Sequence, residues 1–217
     1  MATWTGGPDM AAEMSADLRR ALEAPGPRPL PGPAAVLLEA VQAPPRLAAH
    51  LRAVHDVACE LADWIGSRYP GAGADPLAVA FGAATHDIGK ALHPEELSGP
   101  GAAHEEAGYG LLLSYGVEER LARFARTHSS WNDDGIGIDD LLVSLADKVW
   151  KAKRVRDLEQ LVVDRLAVAS GEAPWQAFLA LDDVCGRIAE GADDRLSFQN
   201  AFPVGPQGRP GTQQDAR

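Results

Sequence analysis

Apolar residues recur at helical spacing through most of the chain, and no stretch alternates with period two over a useful length. That pattern predicts an all-α fold. A short apolar segment over 34–43 comes first. Pro45, tolerated at a helix start, opens a long helix to about residue 69, with His50, Val54, Val57 and Leu61 on its inward face. Asp75-Pro76 starts the next one, which is small and apolar through Leu77, Val79, Ala80, Phe81, Ala83 and Ala84. Further helices are expected over 102–115, 118–127, 139–153, 157–169 and 174–198.

The ends read differently. Residues 1–33 are expected to be poorly ordered, with Asp9 capping a short helix that carries Met10, Met14, Leu18 and Leu22, followed by a Pro-rich linker. The Met/Leu stripe suits docking on the domain or on a partner. Residues 34–200 form one helical domain in this reading, and 201–217, rich in Gly, Pro and Gln, a disordered tail.

The chain has 217 residues, enough to bury a sizeable core. Its formal charge of −11 argues against sequence-independent binding to nucleic acid or to an anionic membrane. A polyanionic substrate would need a local basic pocket. Cys59 and Cys185 both fall in helical patterns, and no leader or membrane-spanning run is apparent, so the reading is cytoplasmic and reduced.

The chemistry concentrates at Thr85-His86-Asp87-Ile88-Gly89-Lys90. A small-residue helix runs into a neutral and an anionic metal ligand, Gly89 breaks it, and Lys90 supplies a compact cation suited to a phosphate oxygen. Adjacent side chains on a regular helix diverge by about 100°, so a helix end is what lets His86 and Asp87 converge. The other His-Asp pair, His55-Asp56, sits inside a helix with neither glycine nor lysine behind it. All six histidines (His50, His55, His86, His93, His104, His128) fall between 50 and 128, as a multidentate metal site would produce. His50 is preferred to His55, which lies about 140° further round the same helix and is expected to be half exposed or bonded to the backbone. His93 is left out, and Glu95 and Glu96 are expected to face solvent. Asp147 lies beside the apolar face of Leu141, Leu142, Leu145 and Val149, where a carboxylate needs a partner. A pair with Lys148 is disfavoured, because neighbours on a helix do not face each other.

The order His50, His86-Asp87, His104, His128, Asp147 resembles the HD-domain superfamily of metal-dependent phosphohydrolases, in its variant with two additional histidines, over roughly residues 46–156. The resemblance implies a helix cluster around two divalent transition metals. One would be held by His50, His86, Asp87 and Asp147, the other by Asp87, His104 and His128. Mixed N/O ligation without thiolate suits Mn, Fe, Co or Zn. The implied activity is hydrolysis of a phosphate ester of a nucleotide or other small molecule, with Asp87 and Lys90 catalytic and Lys90, Lys148, Lys151 and Arg126 meeting substrate. A di-iron oxygenase of the same superfamily and a metal-bearing regulatory module remain open. The Gly-Tyr-Pro type of cyclic-dinucleotide hydrolase is disfavoured, since Asp134-Gly135-Ile136-Gly137 after His128 lacks the Tyr-Pro.

Overall fold

In the computed structural model, which describes residues 15–24 and 26–204, helices are the sole regular element. In chain order they are α1 (Ala16–Glu23), α2 (Gly32–Ala40), α3 (Pro45–Arg68), α4 (Pro76–Thr85), α5 (Ala103–Ser114), α6 (Glu119–Ala122), α7 (Phe124–Thr127), α8 (Ile138–Val149), α9 (Arg156–Ser170), α10 (Pro174–Glu190) and α11 (Ala192–Asn200). The all-α expectation holds. No described helix is long and apolar enough to cross a membrane.

Local chemistry explains where these helices begin. Proline occupies the first turn of α2, α3, α4 and α10, where its missing N–H would be unpaired in any case. The Asp75 carboxylate accepts from the backbone of Leu77 and Ala78 at 3.0 and 3.2 Å and caps α4. Ser15 accepts from Leu18 at 3.1 Å and caps α1. In the longest helix, α3, burial extends round nearly the whole circumference, as befits a helix packed on several sides. It touches α1, α4, α8 and α11.

Two apolar cores flank the middle of α3. One joins its later turns, from Ala53 to Ile65, and Tyr69 just beyond its end, to α8, α9 and α10. The other joins its first turns to α1, α2 and Leu112 of α5. Within the segment read as poorly ordered, residues 15–24 and 26–33 therefore include part of the fold. Leu18, Leu22 and Leu30 are buried, and the buried Arg52 guanidinium donates to the carbonyls of Leu22 and Arg28 at 3.3 and 2.8 Å. Asp9, Met10 and Met14 lie outside the described residues. At the other end, Ala201–Val204 are described too. Phe202 is buried, and its carbonyl accepts from Arg46 Nε at 3.0 Å, so these residues also pack on the domain.

Four helices differ from their expected bounds. The one expected over 34–43 runs Gly32–Ala40 and stops before Gln42, which adopts a positive φ of 48°. The helix expected over 118–127 is two short ones, α6 and α7, joined at Arg123. The helix expected over 139–153 ends at Val149, and Ala152 then adopts a positive φ of 59°. The helix expected over 174–198 breaks at Gly191. There Arg195 donates to the Trp150 carbonyl at 2.7 Å and to that of Ile188, which turns α11 across the end of α8.

Candidate metal centre

Helix α4 ends on His86. Asp87 follows with φ −103° and ψ 11°, leaving the α-helix for a 3-10 turn over Ile88–Ala91. That change of path brings the two neighbouring side chains together. It needs Gly89, because a Cβ there would stand 2.0 Å from the His104 carbonyl oxygen and 2.6 Å from the Gly108 nitrogen. Two glycines, Gly89 and Gly108, thus let the turn and α5 touch backbone to backbone.

Around Asp87 the donors divide between its two oxygens. Oδ2 faces His50 Nε2 at 3.3 Å and His86 Nε2 at 3.7 Å. Asp147 Oδ1 joins the same group, 3.4 Å from His50 Nε2 and 3.6 Å from His86 Nε2. Oδ1 faces His104 Nε2 at 3.0 Å and His128 Nε2 at 3.4 Å. His50 comes from α3, His86 from the end of α4, His104 from α5, His128 from the end of α7 and Asp147 from α8. All six side chains are buried.

The ring nitrogens away from the cluster are engaged elsewhere. His86 Nδ1 lies 2.9 Å from the Ala83 carbonyl, and His128 Nδ1 lies 3.2 and 3.1 Å from those of Phe124 and Ala125. A carbonyl only accepts, so each Nδ1 carries a proton, and in the neutral ring this leaves Nε2 as the nitrogen able to ligate a cation. His104 Nδ1 is paired with Glu96 Oε2. Glu96 also accepts from the backbone of Ala103 and His104 at 3.0 and 3.1 Å, capping α5 from seven residues upstream. This corrects the expectation that Glu96 faces solvent. Outer carboxylates and carbonyls of this kind fix the tautomer and orientation of metal-binding imidazoles.

Electrostatics keep both carboxylates of the centre ionised. Burial by itself would raise the Asp87 carboxyl, but His86, His104, His128 and His50 around it hold it well below the usual carboxylate range. Asp147 is likewise opposed by burial yet held well down by His50 and His86. Burial lowers His86 despite the adjacent carboxylates. For His50 burial pulls down as well, and Asp147 and Asp87 more than offset it.

The donor set fits a metal ion. Four buried side-chain atoms lack a hydrogen-bond partner among the described residues: His86 Nε2, Asp87 Oδ1, His104 Nε2 and Trp150 Nε1. Three of these belong to the cluster, and the Trp150 ring stands 5.0 Å from that of His50. Unpaired buried polar atoms are costly, and a cation is the partner these three lack. An ion bound at about 2.0–2.2 Å spaces its ligand atoms roughly 3–3.5 Å apart, close to the separations found here. Two groupings each bring one ligand atom per residue within 4.8 Å of the others, His50 with His86 and Asp87, and Asp87 with His104 and His128.

The remaining sequence-selected residues fall in three places. Lys90 and Lys151 line a cavity of about 240 Å³ beside His50 and Asp87. Lys90 Nζ also lies 2.5 Å from Asp87 Oδ2. Lys148 pairs with Asp147 Oδ2 at 2.7 Å. The argument that helical neighbours do not face each other fails at this position, because a four-carbon stem reaches back where a short one cannot. Arg126 departs from its expected role. Its guanidinium is engaged by Glu106 and lies 3.5 Å from the centre of the Tyr109 ring, so its charge is used on the surface. His55 is neither half exposed nor backbone-bonded. It is buried between Asp56 Oδ1 at 3.2 Å and Cys59 Sγ at 3.4 Å, on another side of α3 from His50.

Two predictions follow from this shell. Glu96→Gln keeps a cap acceptor but removes the charge behind His104. It should weaken metal binding at the Asp87–His104–His128 group by about 10–100-fold and spare the other group, as read by metal titration. Loss at both groups alike would contradict the division. His50→Ala should lose metal, while His55→Ala should retain it and lose some stability; elemental analysis of the two purified variants checks this.

Residues 47–151 match the family model of the HD domain. That span, just under half of the chain, is consistent with membership of the HD-domain superfamily, and all the clustered residues lie within it. Comparison with curated proteins and with solved structures gives no match.

Proposed function

We propose that this protein is a metal-dependent phosphohydrolase that cleaves a phosphate ester of a small molecule, with two divalent transition metals bound. The observation that carries the reading is the division of Asp87, one oxygen toward His50, His86 and Asp147 and the other toward His104 and His128, beside a cavity that holds lysines. His50, His86, Asp87 and Asp147 would hold one ion and Asp87, His104 and His128 the second. Such ions supply Lewis acidity toward phosphoryl oxygens and lower the pKa of water toward about 7.

The chain's own groups do the rest. Asp87 spans the two groups and fixes their separation. Lys90 holds Asp87 with one N–H and, as a donor of three, has others for a phosphate oxygen. In hydrolysis a water oxygen bonds to phosphorus as the ester P–O bond breaks, and the alcohol departs with a proton. The dispersed acidic charge of the chain suits a small substrate drawn into a local basic mouth over a nucleic-acid polymer or a membrane surface.

The test is a screen of phosphate esters with protein reconstituted in Mn or Fe, following phosphate release and oxygen consumption together. Phosphate release that disappears in His86→Ala is the expected result. Oxygen uptake without phosphate release would assign di-iron oxygenase chemistry instead, and neither signal would leave a metal-bearing regulatory module.

A further inference from the structure

The cavity beside the cluster has a wall that the HD-domain match does not include. The match ends at residue 151, whereas Leu196 and Gln199, on α11, line the cavity together with Lys90. This wall is tied down on both sides. Arg195 anchors α11 to the Trp150 carbonyl, and Arg46 donates to the carbonyls of Phe202 and Asn200 at 3.0 and 3.3 Å. Between these anchors the Gln199 amide enters no hydrogen bond among the described residues, and it is half-buried at the cavity.

Three features define what could bind there. The volume of about 240 Å³ falls below the roughly 300–1,000 Å³ of pockets that enclose drug-sized ligands. The cavity is open to solvent on one side, so once a phosphate is seated its walls reach only a short leaving group. Second, a nucleobase would find no free aromatic face. The one aromatic residue lining the cavity, Trp150, is 2 % exposed and set edge-on to His50. Third, the charges are unequal. Lys90 and Lys148 are each paired with a carboxylate, whereas Lys151 is exposed, makes no ion pair among the described residues and stands 5.5 Å from the Trp150 ring. Lys151 is thus the cation at the mouth with charge to spare for a phosphate.

From these features we infer that α11 sets substrate class. The ligand is the phosphate monoester of a short aliphatic alcohol bearing a further hydroxyl, its phosphate toward Lys90 and Lys151 and its hydroxyl read by Gln199. Leu97 and Leu196 flank the carbon chain. The carboxamide both donates and accepts, which is what recognition of a hydroxyl requires, and a site built to bond a hydroxyl rejects the analogue without one. This rests on the phosphohydrolase reading, and the experiment separates the two.

Protein reconstituted with Mn is assayed on glycerol 3-phosphate, ethyl phosphate and adenosine 5′-monophosphate. Calorimetry in parallel measures binding of 3,4-dihydroxybutylphosphonate and butylphosphonate, which cannot be hydrolysed. Glycerol 3-phosphate should exceed adenosine 5′-monophosphate in kcat/KM by tenfold or more, and the dihydroxylated phosphonate should bind at least tenfold tighter than the plain one. Gln199→Leu should collapse the second ratio to near one while circular dichroism stays that of the parent. Preference for the nucleotide, or a phosphonate ratio that Gln199→Leu leaves intact, would overturn the inference and leave the hydrolase reading standing. Selective, Gln199-dependent binding without phosphate release from any ester would uphold the ligand class and overturn the hydrolase reading. Neither binding nor release would overturn both.

Discussion

Asp87→Ala should remove metal from both groups at once, with phosphate-ester turnover falling below detection. Its Oδ2 serves the His50–His86 side and its Oδ1 the His104–His128 side, so no other single carboxylate is shared. The loss in metal affinity should exceed the ~10–100-fold that follows changes to outer-shell partners. The fold should survive, because the substitution removes a buried charge and Lys90, whose side chain is 20 % exposed, can turn to solvent. His104→Ala is the informative comparison and should empty one group only. Metal titration of both variants checks this, and a single retained ion in Asp87→Ala would show that the aspartate is not the bridge.

The second large effect falls on a residue with no functional group. Gly89→Ala should destabilise the protein and lose metal together. Its methyl would meet the His104 carbonyl at 2.0 Å and the Gly108 nitrogen at 2.6 Å, and backbone cannot swing aside as a side-chain tip can. Overpacking costs about 1–3 kcal/mol and sometimes more; a backbone clash belongs at the upper end, so Tm should fall by roughly 6–12 °C. Moving α5 away would also carry His104 from Asp87. Gly110→Ala, on the same helix with nothing near its added methyl, is the control and should hold Tm or raise it by roughly 1–4 °C, as Ala is favoured over Gly in a helix interior. Thermal melts of the two variants decide the point.

Legibility from sequence follows the range of the interactions. His86, Asp87 and Gly89 could be read because a helix end, two ligands and a breaker are adjacent, and the six histidines betray a cluster by crowding into one third of the chain. The preference for His50 over His55 rests on helical phase, together with a spacing from His50 to Val54, Ala58 and Leu61 that resembles the first-histidine helix of the HD family. What the sequence hides depends on partners brought together by folding or on side-chain reach. Glu96 lies seven residues before the helix it caps, behind a Gly-Pro-Gly segment, and nothing in its spacing marks it as the partner of His104. Arg126 reads as a substrate contact in the sequence, but Glu106, twenty residues earlier, engages its guanidinium. The wall made by α11 depends on the break at Gly191, which a periodic apolar pattern runs straight through.

The shared carboxylate stands or falls on metal stoichiometry. Protein purified without chelator and reconstituted with Mn or Fe should hold two ions per chain by elemental analysis, two in Lys151→Ala, and one in the His104→Ala, His128→Ala double variant. One ion in the parent protein, unchanged by that double substitution, would contradict the two-group account and reduce His104 and His128 to neighbours of a single metal; no ion after reconstitution would contradict the metal centre itself.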